Sequence, residues 1–247
     1  MFDKKIVKKN FSRGAKNYDE AALVQKITAD ELFNVSKEFI VKNQKILDLG
    51  SGSSFLAKKI SENFLQGNLK IFELDLSVDM LELWCDRPEN IFAIQGDIEQ
   101  IPFQNHSFDI IFSSFSLQWV KNFPQNFLNF FSLLKSGGVF AFCLPTEGSL
   151  EEIRAKNIFK INDFPQVKAL KAALEKSGFE EFFFETKLLK QEFNNGFEAL
   201  KSLKKIGANY SEEKTKAVTK AQLKRFNDDC SKVTISWKVS NFIFFKK

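Results

Sequence analysis

The sequence predicts an α/β fold, a mostly parallel sheet with helices on both faces and a helical cap. Three observations predict it. Short apolar runs alternate strictly with amphipathic stretches from Lys45 to Leu144, and such alternation implies parallel strands joined by right-handed crossovers. The run Phe108–Ser114 is apolar almost throughout, as suits a strand covered on both faces. After Pro145 the rhythm changes to helical stretches set between two long strand-like runs.

Taken in order, Lys45–Leu49 reads as a buried strand ending at Gly50, and Ser53–Phe64 has the apolar spacing of an amphipathic helix. Leu69–Leu74 is the second strand. Ser77 is placed to cap a helix through Met80, Leu81 and Trp84, its hydroxyl accepting from the first-turn N–H groups, and Pro88 ends that helix. Ile91–Gln95 and Phe108–Ser114 are strands three and four. Helix Asn122–Lys135, the Gly137–Gly138 turn and strand Val139–Leu144 follow, stopped by Pro145. Beyond lie helices Ser149–Phe159 and Pro165–Ser177, strand Glu181–Phe193, helices Gly196–Ile206 and Thr219–Phe226, and a last strand Val233–Phe245. The simplest assembly is a sheet finished by an antiparallel C-terminal pair, with the intervening helices as cap. At 247 residues the chain fits a single domain: N-terminal lid helices (1–40), a core (45–145), and cap helices with C-terminal strands (146–247).

Apolar residues are 44% and charged residues 27%, which excludes disordered and collagenous classes. Phenylalanine occurs 30 times, and arginine only at Arg13, Arg87, Arg154 and Arg225. The formal charge of +5 lies entirely beyond Pro145. Cys85, Cys143 and Cys230 are odd in number and widely spaced, so a disulfide framework is not expected and a reducing compartment is. With no signal-peptide pattern and no apolar run near the length of a membrane span, a cytoplasmic protein without membrane or nucleic-acid partners is expected. His106, the only histidine, sits in a polar turn. Metal ligation, a histidine-based nucleophile system and a P-loop are therefore disfavoured.

The positive signal begins at Gly50-Ser51-Gly52, after the first strand, where backbone without side chains lets a ligand approach. Alone, this is also an ordinary tight turn. Asp75 ends strand two, where a carboxylate can accept both hydroxyls of a ribose. Asp97 follows strand three and can accept from the exocyclic amine of an adenine, with Leu76 and Ile98 sandwiching the ring. Each aspartate by itself is equally a turn or cap residue. A dinucleotide loop would place glycine at position 55, where this chain has Phe55. A nucleoside without phosphates, such as S-adenosylmethionine, fits better.

As a set, Ile46–Gly52, Asp75–Ser77, Gly96–Ile98, Ile101–Phe103 with Ser107–Asp109, and Leu134–Val139 resemble the ordered motifs of class I S-adenosylmethionine-dependent methyltransferases. Phe11–Tyr18 with Gln25, Ser114–Trp119, Glu147–Arg154, Ser202–Ala208 and Thr219–Arg225 resemble more specifically the malonyl-acyl-carrier-protein O-methyltransferases of biotin synthesis, the BioC family. The resemblance implies a Rossmann-like sheet of seven strands, the last antiparallel, under a helical lid. It also implies a protein that uses S-adenosylmethionine to methylate the free carboxyl of malonyl-acyl carrier protein, an acidic partner that suits the positive C-terminal part; a monomer is expected. Cofactor contacts carry over to Asp48, Gly50, Ser51, Gly52, Asp75, Leu76, Asp97, Ile98 and Ser113, with Tyr18 over the methionine portion. Ser53 and Ser54 depart from the family's usual proline and third glycine.

A malonyl carboxylate is ionised at neutral pH, so no general base is needed and orientation carries the catalysis. Guanidinium groups suit the carboxylate. Arg13 and Arg154 are the candidate clamps, while Gln118 and Trp119 are candidates for the acceptor pocket. Salt bridges, core packing and a helix start explain these four equally well. Two other readings stay open: a methyltransferase for a quinone or other small acceptor, and a non-methylating S-adenosylmethionine-binding assembly or interaction factor, since Ser113–Val120 also resembles respiratory complex I assembly factors.

Overall fold

Alternate apolar positions on the strands feed two separate cores. In the computed structural model, which describes residues 3–155, 163–206 and 232–247, seven strands form one sheet. They are β1 (Lys45–Leu49), β2 (Lys70–Asp75), β3 (Ile91–Gln95), β4 (Phe108–Ser114), β5 (Leu134–Pro145), β6 (Phe179–Phe193) and β7 (Val233–Lys246), in the order β3-β2-β1-β4-β5-β7-β6. The first five strands pair in parallel. β7 runs antiparallel between β5 and β6, so the expected antiparallel C-terminal pair is present.

The helices are α1 (Lys4–Ala21), α2 (Leu23–Ser36), α3 (Phe55–Asn63), α4 (Val78–Leu81), α5 (Phe123–Leu133), α6 (Glu151–Ala155), α7 (Val167–Lys176) and α8 (Gly196–Lys205). On one sheet face Ile46, Ile71, Ile110 and Phe112 pack with Leu32 and Phe33 of α2 and Leu56 and Ile60 of α3. On the other, Leu47, Ile111, Phe140 and Phe142 pack with Phe127 and Phe130 of α5 and Leu174 of α7. This inside-outside alternation is the two-residue period of a strand. Much of the phenylalanine excess serves the second core: Phe142 stacks on Phe242 with ring centroids 4.7 Å apart and on Phe140 at 4.6 Å, geometry that adds to simple burial. Side-chain caps start α1, α5 and α8, from Asp3, Asn122 and Asn195, each satisfying a first-turn N–H.

Ser77 precedes α4 as expected, but its hydroxyl makes no cap. It bonds Ser12 Oγ on α1 at 2.9 Å. α4 is a single turn ending at Leu81, far short of Pro88, because Arg87 folds back and donates to the Leu81 and Trp84 carbonyls. β5 begins earlier than expected, at Leu134, then shifts register at a bulge containing Gly137, which has φ +73°. Among the described residues, α1 and α2 cover the strand ends as the cap. Of the later helices, α7 lies against α5 and β6 as an ordinary layer helix, and α8 buttresses α1. The expected helix Thr219–Phe226, the end of Ser149–Phe159, and Cys230 lie outside the described residues. Among the described residues, no helix is long and apolar enough to cross a membrane.

Candidate functional site

β1, β2, β3 and β4 are parallel and in register, so the residues after them meet at one edge of the sheet. A cleft of about 1040 Å³, mouth included, opens there beneath α1 and α2. Asp48, Gly50, Ser51, Gly52, Asp75 and Leu76 line it, joined by Asp97, Ile98, Tyr18 and Trp119. Sequence reasoning had singled out all ten. A crevice at strand ends where the chain order switches direction is the usual ligand site of such sheets.

The loop after β1 is fixed by its backbone. Gly50 has φ +71°, donates to the Leu74 carbonyl at 2.7 Å, and lies so close to the loop after β4 that a Cβ would fall 2.3 Å from Ser116 Cβ. Gly52, at φ +56°, donates its N–H to Asp75 Oδ2 at 2.9 Å. Ser77 N–H donates to the other Asp75 oxygen at 2.8 Å. Asp75 thus accepts a backbone bond on each oxygen, with the Leu76 N–H also directed at it, and keeps acceptor capacity for a ligand. Burial pushes its carboxyl up to about 6, against the pull of those N–H groups. Burial, with Glu73 and Asp75 nearby, pushes Asp48 well above the usual carboxylate range.

The two serines that depart from the family pattern each hold something. Ser54 sits at φ 66° at the start of α3, a left-handed conformation that usually selects glycine. Its hydroxyl accepts from Arg87 Nη2 at 3.0 Å, and the same guanidinium pairs with the fully buried Glu73 at 2.7 Å. Ser53 donates to Asp19 Oδ1 at 2.7 Å, tying the end of α1 to the loop. Arg87 therefore braces the loop from below, while Asp19 fastens the lid from above.

The lid wall is aromatic. Phe11 of α1 packs edge-on to Trp119, centroids 5.9 Å apart, and lies 6.2 Å from Tyr18. Burial, then the Asp75 and Asp19 carboxylates, raise the Tyr18 phenol, which keeps its proton. Lys4 Nζ donates to both Asp97 oxygens, at 2.7 and 2.6 Å, and pairs with Glu99. Asp97 also accepts from Glu99 N–H at 2.9 Å, leaving about one of a carboxylate's four acceptor sites open. Burial opposes the Glu99 charge, but hydrogen bonds from Lys4 and Lys121 outweigh it and hold that carboxyl low. Two buried lining atoms, Gln25 Oε1 and Ser51 Oγ, have no hydrogen-bond partner among the described residues. Orphaned polar atoms are costly unless a ligand satisfies them. Acidic acceptors, apolar flanks and such orphans fit an adenosine bearing an amino-acid arm.

Four sequence candidates do not reach the cleft. Ser113 is buried beneath it, donating to the Leu49 carbonyl at 2.9 Å and so tying β4 to β1. Gln118 donates to the Phe115 carbonyl at 2.7 Å. Arg13 is on the exposed side of α1. Arg154 pairs with Asp163 at 2.9 Å and lies over the Phe164 ring. Among the described residues, the cations lining the cleft are Lys4 and Lys26. Lys26 Nζ donates to the Asp19 carbonyl at 2.8 Å and lies 5.9 Å above the Phe55 ring. The helical spacing of Lys4, Val7, Phe11 and Tyr18, then Ala22, Gln25, Lys26 and Ala29, was the signal that would have found the lid's inner face.

Residues 47–142 match the methyltransferase domain family. The chain is 32% identical over 94% of its length to malonyl-[acyl-carrier protein] O-methyltransferase 2 of Ilyobacter polytropus, covering 91% of that protein. It is 26% identical to the Coxiella burnetii protein of the same name, covering 97% of this chain and 95% of that one. Among solved structures, phosphoethanolamine N-methyltransferase 2 of Haemonchus contortus in complex with S-adenosyl-L-methionine shares the fold at 17% identity and a TM-score of 0.56, over 88% of this chain and 52% of that one.

Proposed function

Since this chain belongs to the malonyl-[acyl-carrier protein] O-methyltransferase family, we propose that it methylates the free carboxyl of malonyl-acyl carrier protein, an early step of biotin synthesis. It is an S-adenosylmethionine-dependent methyltransferase. We place the reaction in the cytoplasm, on a monomer, with the carrier protein rather than nucleic acid as partner. The observation that carries the reading is the single cleft in which Asp75, Asp97 and the Gly50–Ser53 backbone meet under an aromatic lid. Such a site orients its reactants and offers no histidine base, as an already ionised nucleophile requires.

When bound, S-adenosylmethionine supplies an electrophilic methyl group on a positive sulfonium. Asp75 would accept from the ribose hydroxyls with the capacity left by Gly52 and Ser77, and Asp97 from the adenine amine. Leu76 and Ile98 would flank the ring, and Gln25 and Ser51 would take polar atoms of the amino-acid arm. Phe11, Tyr18 and Trp119 close the wall and keep water from the reacting groups. Lys26, whose acidic neighbour is the single carboxylate of Asp19 at 3.6 Å, would hold the malonyl carboxylate in preference to Lys4, which both Asp97 and Glu99 engage; the candidate arginines lie elsewhere.

The test is incubation with methyl-labelled S-adenosylmethionine and malonyl-carrier protein. A base-labile methyl ester on the carrier is the expected product. Cofactor binding without ester, or transfer to a quinone instead, overturns this choice of acceptor.

A further inference from the structure

α1 has two faces of opposite purpose. Lys4, Val7, Phe11 and Tyr18 line the cleft. Lys5, Lys9, Arg13 and Lys16 are all exposed on the other side, and at 3.6 residues per turn they fall within an arc of about 80° running roughly 16 Å along the helix. No acidic residue occurs between Asp3 and Asp19. None of the four cations pairs with an acid among the described residues. Like charges three and four apart on a helix repel one another, so the stripe weakens the helix that carries it, with no compensating ion pair among the described residues. α8 packs against α1, so closely at Gly14 that a Cβ would lie 2.8 Å from the Lys205 carbonyl oxygen, and itself carries exposed Lys201 and Lys204. Ile6, 45% exposed, borders the stripe.

We propose that this stripe is the docking surface for the acidic carrier protein, an inference that rests on the function given above. A row of cations with an apolar residue at its edge complements an acidic amphipathic helix. It stands on the outer face of the same helix that walls the cleft, so a carrier seated there sets its thioester arm at the lid. Arg13, a sequence candidate for the carboxylate clamp, thereby becomes a partner contact. Charges of this kind act on capture and its salt dependence more than on the chemistry.

The test compares the wild type with the Lys5→Gln/Lys9→Gln/Arg13→Gln/Lys16→Gln variant on two acceptors, malonyl-carrier protein and malonyl-pantetheine, which has the thioester without the acidic protein. At low salt the variant should raise KM for the carrier about 10- to 30-fold, from four exposed pairs of ordinary strength. Its kcat, its S-adenosylhomocysteine affinity and its kcat/KM for malonyl-pantetheine should stay within twofold. A Lys5→Arg/Lys9→Arg/Lys16→Arg variant should retain wild-type capture. Unchanged carrier KM, an equal loss on both acceptors, or preferential retention of a nucleic-acid duplex by the stripe overturns the docking proposal. A wild type inert toward both acceptors overturns the functional reading, and this proposal with it.

Discussion

Replacing Gly50 by alanine tests how the cleft floor is built. The new Cβ would sit 2.3 Å from Ser116 Cβ and 2.6 Å from its Oγ, at φ +71°. Ser116 is not free to retreat, because its hydroxyl donates to the Leu49 carbonyl at 2.7 Å. A left-handed alanine costs about 1–2 kcal/mol, and the overpacking about 1–3 kcal/mol more. For a chain of this size each kcal/mol moves Tm by about 2–4 °C, so a fall of about 10 °C is expected. Gly137→Ala is the internal control: φ is +73° but nothing lies within 4 Å, so only the conformational cost of about 1–2 kcal/mol applies, a fall of about 2–8 °C. Thermal unfolding followed by circular dichroism, with and without S-adenosylhomocysteine, reads both. The Gly50 variant should also lose the ligand's stabilising shift, while the Gly137 variant keeps it. Equal falls in Tm for the two variants would refute the packing argument.

Arg87→Ala should lower unfolding free energy by about 3–5 kcal/mol in urea titrations, because it strands the buried Glu73 charge; Arg87→Met combined with Glu73→Gln should recover much of it, and a loss below about 1 kcal/mol in the single variant counts against the brace. The folded Asp75 value of about 6 exceeds an unfolded carboxylate's roughly 3.9, so the folded state binds the extra proton between them. The ligand-free protein should therefore gain stability through Asp75 as pH falls from above 6 toward 4, while cofactor affinity drops as the acceptor protonates. Asp75→Asn should flatten both trends, and identical pH profiles in the two proteins would exclude Asp75 as their source. Lys26→Met should raise KM for malonyl-carrier protein about tenfold or more, the worth of one charge-assisted hydrogen bond, with S-adenosylhomocysteine affinity within twofold. A loss of cofactor affinity instead would move Lys26 to the cofactor's own carboxylate.

The sheet was legible because its signals are local. The nearly continuous apolar run of β4 and the β-branched and aromatic richness of β7 survive whatever surrounds them. The strand-end residues were legible for the same reason, since Gly50, Asp75 and Asp97 each follow a readable strand. What escaped depends on contacts across the chain. Nothing near Ser77 shows that its hydroxyl will be taken by Ser12, or that Arg87 will claim the carbonyls needed to continue α4. In the sequence Ser54 is only a departure from the family's usual third glycine, whereas in the fold its hydroxyl accepts from Arg87. Arginine was favoured for the carboxylate on chemistry alone, and chemistry does not place Arg13 on the outer face of α1 or set Arg154 against Asp163.

The central claim is that the cleft esterifies a free carboxyl on a carrier-bound malonyl group. The most direct measurement is intact-mass spectrometry of the carrier after incubation with S-adenosylmethionine and this protein. Malonyl-carrier protein should gain the mass of a single methyl ester, and acetyl-carrier protein, which lacks the free carboxyl, should gain nothing. Methylation of both carriers, or of neither by protein that binds S-adenosylhomocysteine, would contradict the account.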